Sequence, residues 1–165
     1  MTINEKMNFV IKLAEEALEK NELPIACIIF HNDTIVAQSH TSEYEDKRLL
    51  VHAEIKALME LDKKRISQKE KRQMELFTNL EPCMMCLGST IASFVGKIYY
   101  SLDASSDGAV KWAEKTWNEH HVESSFHLPT ITSGILEQES KALFKRYIEI
   151  HKDGPLVDWV KTIVC

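Results

Sequence analysis

The chain has 165 residues, 44% of them apolar, and a formal net charge of −5, which predicts one globular domain over residues 1–165 with a real core. No apolar run reaches the length of a membrane span, and no apolar signal core follows Met1-Thr2-Ile3-Asn4-Glu5-Lys6, so no membrane partner and a cytoplasmic location are expected. The four cysteines, Cys27, Cys83, Cys86 and Cys165, suit reduced thiols and a metal site better than a disulfide framework, and the acidic balance argues against a wholly basic nucleic-acid face.

Met7, Val10, Ile11, Ala14, Ala17 and Leu18 recur at helical spacing, which predicts a first amphipathic helix ending near Asn21. Ile25 to Phe30 and Thr34 to Ser39 read as strands, joined through His31-Asn32-Asp33 as a hairpin. Residues 40–50 are polar and irregular. A second helix starts at His52, with Ile55, Leu58 and Met59 on one face. Met74 to Leu80 reads as a strand and Cys83 to Phe94 as a helix ended by Gly96, with a further strand from Lys97 to Leu102. Between Asp103 and Pro129 no clean period appears until Trp112. Ile131 to Ile135 suggests a short last strand, Leu136, Leu143, Phe144 and Tyr147 a last helix, and residues 154–165 a tail. Helices alternating with strands in this way imply a sheet covered on both faces.

The chemistry concentrates in His52-Ala53-Glu54 and Pro82-Cys83-Met84-Met85-Cys86. Cys83 and Cys86, at i and i+3 of a helix start, present both sulfurs to one side, and the helix dipole there favours thiolate. Three ligands, His52, Cys83 and Cys86, are the mark of a catalytic zinc site with an open position, because structural sites close with four. A fourth ligand from Cys27, Cys165 or a histidine between 120 and 127 is the competing reading. A redox Cys-x-x-Cys pair is another, but it leaves His52 and Glu54 unexplained. Zn2+ in an open site brings the pKa of water toward neutrality, and Glu54 is the natural proton carrier beside it. By itself Glu54 would suit a helix start equally well as a dipole-favoured carboxylate.

This is the H-x-E…P-C-x-x-C arrangement of zinc-dependent nucleobase deaminases. Over roughly residues 5 to 150 the chain resembles the cytidine deaminase-like superfamily, in the branch that holds guanine deaminases and tRNA adenosine deaminases. Beyond the metal motifs, the likeness rests on the first helix, the strand entered at Pro24, Gly96-Lys97-Ile98-Tyr99-Tyr100 and Ser133-Gly134-Ile135-Leu136. The resemblance implies an α/β fold, a three-layer αβα sandwich on a five-stranded mixed sheet, and a homodimer or larger assembly. It also implies His52, Cys83 and Cys86 as zinc ligands and Glu54 as proton shuttle. Three places depart from the family pattern. Ala26 and Cys27 stand where glycine and alanine are common, and Thr41 stands where many relatives carry a substrate-binding asparagine. The usual Asp-Pro-Thr-Ala before the metal histidine is here Arg48-Leu49-Leu50-Val51.

The expected reaction is hydrolytic deamination of a free nucleobase, nucleoside or related aminated heterocycle, with release of ammonia. A tRNA adenosine-to-inosine deaminase is the alternative, and tRNA ranks behind a small molecule as partner. An inactive zinc-stabilised binding protein is a third reading. The basic run Asp62 to Arg72 reads as a solvated connection far from the zinc. Lys141, Lys145 and Arg146 offer either an RNA face or an ordinary helix exterior. Thr41, Ala53, Pro82, Asp103 and Asp107 are the candidate substrate contacts, the last two in a loop that serves equally as a turn. Trp112 and Trp117 are expected in the core or an interface, and His120, His121 and His127 in structural or surface places. The apolar Leu156-Val157-Asp158-Trp159-Val160 suits a cover for the pocket of its own or a partner subunit.

Overall fold

The computed structural model describes residues 1–120 and 126–164. Helix α1 (Ile3–Glu19) starts on a capping box, Thr2 accepting from the Glu5 N–H while Glu5 accepts from that of Thr2. Strands β1 (Ala26–His31) and β2 (Thr34–His40) form the expected hairpin. Asn32 (φ 47°) and Asp33 (φ 62°) both take the left-handed conformation that a tight hairpin turn demands.

After β2 come α2 (Glu43–Asp46), α3 (Ala53–Asp62), α4 (Gln68–Lys71), β3 (Glu75–Leu80), α5 (Met84–Ala92), β4 (Lys97–Leu102) and α6 (Val110–His120). The chain continues through β5 (Thr130–Thr132), α7 (Glu137–His151) and α8 (Pro155–Val164). The sheet order is β2-β1-β3-β4-β5. β1 runs antiparallel to β2 and β3, whereas β3, β4 and β5 are parallel, so the sheet is mixed and five-stranded as expected.

Alternation along the strands divides the apolar side chains between two cores. Ala26, Ile28, Phe30 and Phe77 pack with α1, α7 and α8, while Cys27, Ile29, Leu76 and Ile98 pack with α3, α5 and α6. The result is the three-layer αβα sandwich. Asn79 crosslinks the first layer, accepting from Ala26 N and donating to the Pro24 carbonyl and Ser140 Oγ, all buried.

Several local expectations change. The buried face of α3 is Ala53, Glu54, Ala57, Leu58 and Leu61, whereas Met59 is exposed, because both β1 and β2 pack on the alanine side. α5 ends at Ala92 with Phe94 left-handed (φ 61°), so Gly96 is not its cap. A Cβ at Gly96 would lie 1.9 Å from the Arg72 carbonyl oxygen, and close approach is the reason for glycine there. The last strand is Thr130–Thr132, one residue earlier and shorter than predicted. The 154–165 tail is mostly helix, with Pro155 in its first turn as the missing N–H allows. Trp112 is exposed, so of the core and interface places expected for it the core is excluded. No helix among the described residues is long and apolar enough to cross a membrane.

Candidate active site

The parallel strands β3 and β4 end side by side, where open α/β sheets gather their functional groups. His52 is the N-cap of α3 and Cys83 the N-cap of α5, both in extended backbone, so two helix starts converge there. His52 Nδ1 lies 3.8 Å from Cys83 Sγ and 3.5 Å from Cys86 Sγ. Tetrahedral zinc with ordinary Zn–S and Zn–N lengths separates such ligand atoms by about 3.6 Å, so the donor set fits the ion. Among the described residues the metal-competent group comprises these three, and neither Cys27 nor His127 joins it. Cys165 and His121, raised as possible fourth ligands, lie outside the described residues.

Within this cluster Cys83 is held down to about 4, first by the Cys86 hydrogen bond and then by His52 against the opposing effect of burial. The same hydrogen bond, followed by burial, pushes the Cys86 thiol up. The His52 imidazole is raised, chiefly by its hydrogen bond to Cys83.

Glu54 is buried beside this metal-competent group. Its Oε1 accepts from Thr78 Oγ1 at 2.8 Å and its Oε2 faces Cys86 Sγ at 3.3 Å. Burial raises its carboxyl above the ordinary range. The other ring nitrogen of His52, Nε2, meets Glu43 Oε1 at 3.2 Å, which leaves Nδ1 for the thiol side. Glu43 stands on the four-residue α2, and that helix is tied down by Glu22. The buried Glu22 carboxylate accepts from Tyr44 N (3.1 Å) and Glu45 N (2.7 Å).

A second buried carboxylate, Glu81, fastens the other side of the site. It accepts from Ala104 N at 2.9 Å and Val110 N at 3.0 Å, fixing the loop after β4 and the start of α6. That loop passes so close that a Cβ at Gly108 would lie 2.2 Å from Glu81 Oε2.

A cavity of about 230 Å³ opens over the metal group. Leu23, Ile25, Leu80, Leu156 and Trp159 give it an apolar wall, and Glu43, His52 and Glu54 a polar end. Of the candidate substrate contacts, Thr41, Ala53 and Asp107 line it. Thr41 is buried, with its hydroxyl 3.4 Å from the Val51 carbonyl that it faces. Pro82 and Asp103 are not among the lining residues. The Pro82 carbonyl accepts from Ala109 N, and Asp103 is drawn outward by the Tyr100 hydroxyl at 2.9 Å and Lys111 at 3.3 Å. The cover suggested for the tail is supplied by its own chain through Leu156 and Trp159.

Glu43 and Glu81 were not singled out from the sequence as site residues, whereas Leu156 and Trp159 were raised there only as part of a cover. For α8 a signal existed, since apolar residues recur helically after Gly154-Pro155. For the two glutamates none did.

The model of the cytidine and deoxycytidylate deaminase zinc-binding region matches residues 1–102. This chain belongs to that family. A tRNA-specific adenosine deaminase of Rickettsia typhi (strain ATCC VR-144 / Wilmington) is 33% identical over 145 residues, 87% of this chain and 95% of that protein. A solved structure from work on tRNA:A34 deaminases superposes with a TM-score of 0.70 at 24% identity, covering 83% of this chain and 96% of the other. A guanine deaminase from Nitrosomonas europaea gives 0.74 at 21% identity over 88% and 84%. At those identities the two structures speak for the fold alone. The family and the His/Cys/Cys group together make this a zinc-dependent deaminase, a hydrolase. The relatives correct one expectation: tRNA does not rank behind a small molecule as partner. Net charge sums over the chain and says little about a local contact, so it was a poor guide.

Proposed function

We propose that this chain deaminates an adenosine of tRNA to inosine. The reading is carried by its similarity, across nearly their whole length, to tRNA-specific adenosine deaminases, joined to a zinc-competent group beside a buried glutamate. A deaminase acting on a polynucleotide turns one base out of its stack into a pocket, so a cavity for a single base is compatible with a large substrate.

His52, Cys83 and Cys86 would hold the zinc. When bound, zinc supplies the Lewis acidity that makes a water molecule acidic enough to react near neutral pH. Glu54 accepts the proton of the attacking water through Oε2, passes it to the ring nitrogen beside the amino-bearing carbon, and carries a second proton to the departing amino group. Water adds, ammonia leaves, and the carboxylate is returned unchanged. Thr78 anchors the other oxygen of Glu54 during both transfers. Thr41, Ala53 and Asp107 shape the substrate side of the cavity.

Zinc-loaded protein incubated with tRNA transcripts should form inosine, read by mass spectrometry of the digested RNA. Ammonia from free bases or nucleosides with no inosine in any tRNA would overturn the assignment.

A further inference from the structure

Helix α8 is apolar on two sides, one buried in the core and one shared with the cavity. Val157, Val160 and Val164 are buried in the layer formed with α1 and α7. Leu156 and Trp159, three positions apart, line the cavity, and Trp159 also packs against the edge of that core. Two hydrogen bonds tie this helix to the loop across the cavity mouth. Trp159 Nε1 donates to Asp107 Oδ1 at 3.1 Å, and Ser105 Oγ donates to the Thr162 carbonyl at 3.3 Å. The loop is itself pinned by Glu81 through Ala104 and Val110. Moving α8 aside would return three buried valines to water, so the Trp159 wall stays in place while substrate enters.

The cavity that reaches Glu54 is bounded both by this wall and by the helix starts that carry His52 and Cys83. An indole is a broad, rigid surface for a flat heterocycle, and base–aromatic stacking needs no sequence-specific hydrogen bond. Asp107, placed four residues beyond Asp103, fixes where the indole sits.

We propose that Trp159 is a substrate-positioning residue: its indole, oriented by Asp107, packs against the target base and sets the edge presented to Glu54. The identity of that base as adenosine rests on the function proposed above, whereas the wall itself rests on the cavity.

The test is steady-state kinetics on a tRNA anticodon stem–loop carrying the target adenosine. Trp159→Ala should raise KM by about 5- to 150-fold, the worth of one base–aromatic stack, and Trp159→Phe should recover most of it. Val160→Ala, on the core face, should lower the melting temperature without moving KM. In Glu54→Gln protein, added RNA should quench tryptophan fluorescence. The quench should vanish in Glu54→Gln/Trp159→Phe although Trp112 and Trp117 remain. A wild-type KM in Trp159→Ala, or a quench that survives Trp159→Phe, overturns the proposal. If the wild type turns over a free base or nucleoside and no RNA, the tRNA reading fails, and the same comparison of KM on that substrate decides for or against Trp159.

Discussion

Glu43→Gln and Glu43→Ala test whether the carboxylate behind His52 sets zinc affinity. Glu43 Oε1 lies 3.2 Å from His52 Nε2, with the side chains 26% and 32% exposed, so the pair is partly shielded from water. Accepting the Nε2 proton fixes the tautomer that leaves Nδ1 for the metal, and the negative charge makes that nitrogen a stronger donor. Partners of this kind are worth about 10- to 100-fold in metal affinity, or about 1.4–2.8 kcal/mol. Glutamine keeps an acceptor and loses the charge, so about tenfold is expected. Alanine loses both and should approach the upper figure. Glu22→Gln should weaken zinc as well, because one amide oxygen cannot serve both Tyr44 N and Glu45 N and α2 loosens. Competition against a chromophoric chelator reads the affinities, with circular dichroism as a check of folding. Wild-type zinc affinity in a folded Glu43→Ala protein would show that His52 is oriented without Glu43 and refute the reasoning.

Glu54→Gln should keep about one zinc per chain by metal analysis while turnover falls by about 10²- to 10⁴-fold, the usual worth of a general acid–base group; retained activity would remove Glu54 from the chemistry. Gly108→Ala puts a Cβ 2.2 Å from Glu81 Oε2 and 2.6 Å from the Ala104 carbonyl, so denaturant unfolding should show a loss of about 1–3 kcal/mol. The Asp33 carboxyl is held at about 2, first by the Lys6 hydrogen bond and then by that of the N-terminal amine. Because its folded pKa is depressed, the stabilisation is present above the ordinary carboxylate range and is lost as pH falls toward about 2. Asp33→Asn should therefore melt earlier than wild type at neutral pH, and the two curves should converge in strong acid.

The metal-competent group was legible because its three members fall in two short motifs at helix starts, where local geometry already aims the side chains. The alternation of helix and strand was legible for the same local reason. Four-residue helices such as α2 and α4 are too short to show a period, and α2 carries Glu43. Distinguishing Asp107 from Asp103 needs the fold, since both lie in one polar loop and only the positions of Tyr100 and Lys111 draw Asp103 away. Met59 misled for a related reason. Its spacing matched Leu58 and Ile55, but the strands cover the alanine side of α3, leaving a large apolar side chain in water. The apolar run of the C-terminal segment carried enough pattern for a helix; which side of it would meet the cavity depended on where α7 delivered it.

Three buried glutamates stand at or behind the site, Glu54 and Glu81 lining the cavity, and their hydrogen bonds explain why one of them suits the proposed proton transfer. Glu22 and Glu81 each spend both oxygens on backbone N–H groups, donors that cannot rotate away or give up their hydrogen. Those two carboxylates are fixed parts of the frame, one behind α2 and one behind the loop after β4. Glu54 instead has a hydroxyl on Oε1 and a thiol on Oε2. Metal binding requires Cys86 as thiolate, which cannot donate, so Oε2 is released from its protein partner on the side that lines the cavity. A buried acceptor that loses a donor is costly, and water or a substrate N–H at that point would relieve the cost. In the proposed mechanism, loading the metal would therefore free Glu54 to exchange a proton, while Glu22 and Glu81 stay locked in place.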